Sequence, residues 1–462
     1  LREAVVISGE VAGPFDDASH SQLGLDQPIE FDHRREVESW DLDFDNILPR
    51  EMHIDITRDE DAYLFHFVFR NAVNKEIEFT DVPARLTEGD LEDDLLNIRK
   101  ALWTITMSDP YGDRLEGVKD DFARQMNHLA RRGRKLWVKL FKRDRNSSLF
   151  DIGQWLEDHP LPPGKMIQVS VAKDAQTFVF PWSLMYDQVP PQDDKKKLPD
   201  LDGFWGLRYV IEQRLPGRAV ADEVIALDDG FEVGFMLWPF DESKEQTRVV
   251  QAFTARCHGT LTKGKPIIGA SDAYDSLLDC HSQLLYYFTH GHTRRRAADI
   301  GGLDFVQIYE ALPEDSPIRK RPFWKELYDA VKGEDFESDS SWIKLRYGML
   351  HLDQLYEGNV RLHNHPIVFL NMCESAQATP SLSDSFIHFF INRGARSVIA
   401  TECTMRPLFA HHFSQRFFEA LSRGDSVGQA ILDARRAFIG MENPMGLAYS
   451  LFGSAGTRFD VT

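Results

Sequence analysis

The sequence predicts an α/β protein: a mostly parallel sheet covered by helices on both faces, with a smaller N-terminal α+β region. Three observations carry this expectation. From Gly230 onward, apolar runs alternate with stretches at helical spacing, the rhythm of strand, crossover helix and strand. The runs at 284–289 and 367–371 are nearly continuous in apolar residues, as strands buried on both faces are. Earlier, the segments at 52–56, 63–69 and 75–79 alternate instead, which is the pattern of half-buried strands.

Taken in order, residues 1–50 read as an irregular acidic arm or the remnant of an upstream domain, broken by Gly, Pro and Asp. The chain opens on Leu1, as expected of a fragment or a processed form. Residues 51–160 form an N-terminal region of strands followed by helices at about 91–107 and 115–142, the second interrupted near Gly133. Eight basic residues and one acidic residue lie between Arg131 and Arg145; helical spacing of Phe122, Met126, Leu129, Leu136 and Leu140 makes them the wet face of an amphipathic helix rather than an anion site. Residues 161–462 form the main domain. Its strands are expected at 166–171, 178–180, 207–212, 233–238, 284–289, 367–371, 397–401 and 448–452. Helices are expected at 242–256, 273–281, 382–393, 408–422 and 426–439. An insert at about 293–365 interrupts the rhythm. Its composition around 333–341 predicts an unstructured segment flanking the cleft.

Composition narrows the function classes. A net charge of −20 argues against direct nucleic-acid binding, since phosphate affinity needs clustered cations. Seventeen acidic and five basic side chains within residues 1–62 read as a solvated acidic surface, or as a docking face for a basic partner. No apolar run approaches the roughly 18 residues of a membrane span. The N-terminus also lacks a basic region followed by an apolar one, so no membrane association is expected. Four cysteines without a C-x-x-C pair argue for a reducing, cytoplasmic setting and against zinc or a disulfide framework. No metal or cofactor is expected.

The chemistry concentrates where two buried strands end. One leads through Asn371 and Met372 to Cys373, and the other ends on His290-Gly291-His292. In open parallel sheets, ligands bind at the carboxyl ends of the strands. A cysteine and a histidine there supply a nucleophile and its base. Gly291 permits close backbone approach, so its N–H, with that of Cys373, is placed to stabilise an oxyanion. His292 is the alternative ring. Cys403 and the Cys257-His258-Gly259 stretch are weaker competitors, the latter because it follows a helix rather than a buried strand. Glu402 and Asp241 are candidate pocket carboxylates, with solvated loop carboxylates as the plainer reading.

Four ordered motifs carry a resemblance. They are Phe178-Val179-Phe180-Pro181-Trp182-Ser183-Leu184-Met185-Tyr186-Asp187, Tyr287-Phe288-Thr289-His290-Gly291, Val368-Phe369-Leu370-Asn371-Met372-Cys373-Glu374-Ser375-Ala376, and Arg393-Gly394-Ala395-Arg396-Ser397-Val398-Ile399-Ala400-Thr401. With the tail from Asn443 to Gly453, they resemble a CHAT domain, the separase-related branch of the caspase-like peptidases. The resemblance implies a caspase-like fold and a Cys/His dyad endopeptidase, with His290 and Cys373 as the dyad and the N–H groups of Gly291 and Cys373 as the oxyanion hole. It also implies one or a few specific protein substrates and a setting in bacterial defence, and we expect control by an activating protein or ligand. By analogy with caspases, Asn371, two residues before the nucleophile, lines the pocket for the P1 side chain. A neutral amide there predicts selection by shape or neutral polarity, which Glu402, Asp241 or the cluster Arg294-Arg295-Arg296 would overturn. The separation of His290 from Cys373 is longer than is typical of the family. The competing reading is a catalytically silent caspase-like scaffold with Cys373 buried and inert.

Overall fold

A computed structural model describes residues 47–461, except short stretches at 61, 71–75, 85, 108–113, 193–196, 217–221, 228–229 and 404, residues 293–308, most of 311–340, and 373–384. Of the segment expected to be unstructured at 333–341, residues 333–340 lie outside the described residues, as do the cluster Arg294–Arg296 and Cys373, whereas Ser341 is buried.

The N-terminal strands are β1 (Met52–Asp59), β2 (Ala62–Arg70) and β3 (Glu76–Ala84). In β1 and β2 alternate side chains are buried, as the alternating sequence requires. Two long helices follow, α1 (Glu88–Met107) and α2 (Lys119–Trp137), and then α3 (Ser148–Asp158). Helix α2 buries Phe122, Met126, Leu129 and Leu136 on one face, and its last turn carries Arg134 and Lys135, which suit the negative end of the helix dipole. The helix is not interrupted at Gly133. A Cβ there would lie 2.8 Å from Cβ of Tyr186 and would also meet the Leu184 carbonyl, so this glycine is a packing requirement. The helix instead continues into a π turn, Val138–Lys142. Helix α3 was not expected from the sequence; the Ser147 hydroxyl caps it by accepting from Phe150 N at 3.3 Å.

The main domain adds β4 (Met166–Val171), the short helix α4 (Trp205–Arg208), β5 (Val210–Arg214), β6 (Val224–Ile225) and β7 (Glu232–Leu237). Next come α5 (Ser243–Arg256), β8 (Thr260–Leu261), α6 (Ala270–Leu278) and β9 (Leu284–His292). The strand expected at 178–180 is irregular backbone instead, its aromatic side chains packed among Tyr63, Phe65 and Trp182. From the insert come β10 (Trp342–Lys344), β11 (Met349–His351) and α7 (Leu352–Glu357). The chain closes with β12 (Ile367–Met372), α8 (Phe386–Asn392), β13 (Ser397–Thr401), α9 (Pro407–Leu421), α10 (Val427–Ile439), β14 (Tyr449–Gly453) and β15 (Arg458–Phe459).

One sheet runs in the order β11-β10-β9-β12-β13-β14-β5-β4-β1-β2-β3, with β7 lying along the first half of β9 and β8 along β7. The core strands β7, β9, β12 and β13 are mutually parallel, and β14 runs antiparallel to β13. The boundary expected near residue 160 falls inside this sheet, because β1 pairs in parallel with β4. Both faces are covered. On one, Tyr286 and Phe369 pack against Phe418 and Phe417 of α9. On the other, Leu285, Tyr287, Val368 and Leu370 share a core with side chains of α6, α7 and α8. The last third of the insert, from Trp342 onward, is thus part of the architecture.

Candidate active site

All six residues of β12 are buried, and β12 pairs in parallel with β9 from Ile367↔Leu284 to Met372↔Thr289. The residues next in each chain are Cys373 and His290. Period two places Tyr286, Phe288 and His290 on the sheet face covered by α9. The His290 ring is fully buried beneath the loop that follows β7, with ring centroids 5.1 Å from Trp238 and 4.8 Å from Phe240. Lys344 of β10 is its antiparallel neighbour. Burial, with Lys344 adding to it, pulls the His290 pKa down to about 3, so the ring is neutral at physiological pH. Gly291 is buried where β9 pairs with Ile343, and a Cβ on it would lie 2.6 Å from Sδ of Met372. Thr289 Oγ1 reaches the same sulfur at 3.7 Å, while Thr401 Oγ1 donates to the Met372 carbonyl at 2.5 Å. The last described residue before Cys373 is therefore held on three sides.

The CHAT domain profile matches residues 151–445, well over half of the chain. The chain belongs to the CHAT domain family. A 91-residue stretch is 36% identical to a protein named "Probable protease" from Vitiosangium sp., covering 19% of this chain and 12% of that protein. The fold is similar to the Arg-specific cysteine proteinase gingipain R of Porphyromonas gingivalis, with a TM-score of 0.36 and 11% identity over 80% of this chain and 75% of that one. It is similar also to a chain of the Saccharomyces cerevisiae separase–securin complex, with a TM-score of 0.40 and 11% identity over 90% of this chain and 30% of that one.

Within this CHAT domain the expected pocket residues have other partners. Asn371 is buried among α9 and β14: its Nδ2 donates to the Tyr286 hydroxyl and the Ala410 carbonyl, both at 2.9 Å, and its Oδ1 accepts from the Tyr449 hydroxyl at 2.7 Å. Both amide hydrogens are spent inside the core, which corrects the expectation that this amide faces a substrate. Glu402 is buried too. Its Oε2 pairs with Arg99 of α1 at 2.9 Å, and its Oε1 accepts from Ser450 at 2.7 Å, so its charge is neutralised within the fold. Asp241 alone of the three is exposed, on the loop that carries Trp238 and Phe240. His292 ends β9, with its side chain outside the described residues.

The three described cysteines are buried. Burial pushes the Cys257 thiol up to about 11 and raises that of Cys280, the opposite of what a nucleophile needs. Cys403 packs against Thr106 of α1, 3.7 Å from its hydroxyl. The motif from Pro181 to Asp187 serves packing: Asp187 accepts from Trp205 Nε1 at 3.1 Å and pairs with Arg208. Residues that sequence reasoning missed are Trp238 and Phe240, which roof His290, and Lys344 and Thr401, which flank it and Met372. Only Thr401, ending a buried strand beside β12, carried a readable signal.

A groove lies along α2 and its π turn. Arg131, Arg134, Lys135, Lys139 and Arg143, with Val138 and Val189, line this groove of about 560 Å³. Arg134 and Lys139 are paired with Glu157 and Asp94, so the basic stretch is only partly a solvated face. No described helix is long and apolar enough to cross a membrane.

Proposed function

We propose that this chain is a caspase-like cysteine endopeptidase with Cys373 as nucleophile and His290 as acid and base. The observation that supports the reading is the β9–β12 register: its last pair, Met372↔Thr289, is followed in the sequence by Cys373 on one side and His290 on the other. In the reaction, His290 takes the thiol proton and the Cys373 thiolate attacks the scissile carbonyl. The N–H groups of Gly291 and Cys373 stabilise the oxyanion. Collapse expels the amine, which receives the proton from His290, and water then releases the acyl group from sulfur by the same proton relay.

The burial of His290 supports control by a partner or ligand. A base held at about 3 is poorly matched to neutral pH, where the most effective bases titrate near 7. Displacing Trp238 and Phe240 would hydrate the ring and restore its basicity. The setting, cleavage of one or a few proteins in bacterial defence, belongs to the same proposal and is tested by phage challenge of cells carrying active or Cys373→Ala protein.

The same burial favours the second reading, a silent scaffold, if the ring stays closed in every state. A thiol-reactive probe separates the two. Selective labelling of Cys373, lost in His290→Ala and accompanied by cleavage of a protein substrate, supports the peptidase. Resistance of Cys373 to labelling in the partner-bound state supports the scaffold.

A further inference from the structure

The segments that lead into β9 and β12 run side by side. Cys280 and Leu362 form a parallel bridge, with Cys280 N donating to the Arg361 carbonyl and His363 N to the Cys280 carbonyl, both at 2.9 Å. Cys280 and Leu362 point into the core. Extended backbone alternates its side chains, so their neighbours point outward. Asp279 and His281 from one segment and His363 from the other therefore emerge together, all three exposed. His363 Nε2 lies 2.6 Å from Asp279 Oδ1, and His281 Nε2 lies 3.6 Å from Asp279 Oδ2. The two imidazoles are stacked, with centroids 4.5 Å apart and planes 10° from parallel. One ligand atom from each residue falls within 4.8 Å of the others. The backbone beneath is fixed further by Asn364 Nδ2, which donates to the His281 carbonyl at 2.5 Å.

We propose that Asp279, His281 and His363 bind one divalent transition-metal ion of the zinc type, with water completing its coordination. Metal–nitrogen bonds near 2.0–2.1 Å in a tetrahedron hold ligand atoms about 3.3 Å apart. The observed contacts, 2.6 Å to Oδ1 and 3.6 Å to Oδ2 of Asp279, with one ligand atom of each residue within 4.8 Å of the others, leave the three exposed side chains to rotate inward to reach that spacing. Two imidazoles favour zinc, cobalt or nickel over magnesium or calcium, which prefer oxygen ligands. The proposal departs from the sequence reading, which expected no zinc or other metal; that reading rested on cysteine spacing, which does not bear on a histidine–carboxylate set. The ion would tie together the starts of the two strands that end at the candidate dyad. His281 precedes His290 by nine residues, roughly 30 Å along a strand, so the role is structural or regulatory rather than catalytic.

The test uses tag-free, chelator-treated protein carrying Cys373→Ala, which removes the competing thiol. Titration with Co²⁺, followed by displacement with Zn²⁺, should give one ion per chain, visible bands of a four- or five-coordinate nitrogen and oxygen site, and no thiolate charge-transfer band. Excess Mg²⁺ should not compete. His281→Ala and His363→Ala should each weaken affinity by more than the roughly tenfold that loss of an outer-shell partner brings. Asp279→Asn, which keeps the shape, should weaken it too. Zn²⁺ should raise the melting temperature of the parent and leave the histidine variants unmoved. Equal affinity in parent and variants, or a spectrum of hydrated cobalt alone, would overturn the proposal and leave the cluster a surface ion pair.

Discussion

Asn371→Ala separates a structural role for this side chain from a role in substrate selection. The substitution removes three buried hydrogen bonds, among them the one that Asn371 Oδ1 accepts from the Tyr449 hydroxyl. At about 1 kcal/mol net for each hydrogen bond the loss is about 3 kcal/mol, to which the cavity left by the side chain adds. The compact unit runs from Pro49 to Thr462. With an unfolding entropy of about 2 cal/mol/K per residue, 3 kcal/mol lowers its melting temperature by roughly 3–4 °C. Differential scanning calorimetry measures this, and peptide-library profiling at a temperature where the variant remains folded measures selectivity. We expect the stability loss with an unchanged P1 preference. A variant that melts with the parent but changes its P1 preference would refute the hydrogen-bonded assignment and return Asn371 to the substrate pocket.

Glu402→Gln should cost stability by about 1–3 kcal/mol, because the partly buried Arg99 loses its pairing with a buried carboxylate, and should leave P1 charge preference alone; chemical denaturation and library profiling check the two halves. Gly291→Ala drives a methyl against the Met372 side chain, a flexible neighbour, so cleavage rate should fall far more than stability. Gly133→Ala instead meets the Leu184 backbone carbonyl, which cannot yield as a side chain can, and should destabilise by about 1–3 kcal/mol as overpacking does. His290 sets a pH dependence. Its pKa is depressed in the fold, so the unfolded chain takes up a proton first, and this contribution to stability is complete above about pH 6.5 and falls as pH drops towards 3. Urea unfolding should show roughly 2 kcal/mol less stability from this residue at pH 5 than at pH 7, a slope that His290→Gln reduces. His53 and His411, each held near 4 by burial, add in the same direction.

The sheet was legible because its central strands are apolar runs and its flanking strands alternate. The candidate dyad was legible because each member follows such a run. What escaped has physical causes. Period two assigned Asn371 to a face of β12 but could not say that Tyr286, Ala410 and Tyr449 converge there from three other elements. Strands β10 and β11 are three residues each and sit in a charged insert, so only the pairing of β10 with β9 and of β11 with β10 makes them strands. Gly133 reads as a helix interruption in one dimension, whereas its small size serves contact with the Pro181–Asp187 motif. Asp279 and His363 are 84 residues apart, a separation no local spacing rule spans. The short helix α4 took the place of the first part of the strand expected at 207–212 and moved β5 onward to Val210.

The order of strands in space differs from their order along the chain. A cut anywhere between β9 and β10 would divide the polypeptide into one piece carrying β1–β9 and another carrying β10–β15. In the sheet these pieces interleave: β12, β13 and β14 of the second sit between β9 and β5 of the first, and β10 lies along the far edge of β9. The small sheet adds another seam, β6 with β15. Nicked protein should therefore travel as one particle in native buffer and as two bands in detergent. The peptide linkage between β9 and β12 through the insert is then dispensable as a tether, and mortise-like interleaving keeps these two strands in register.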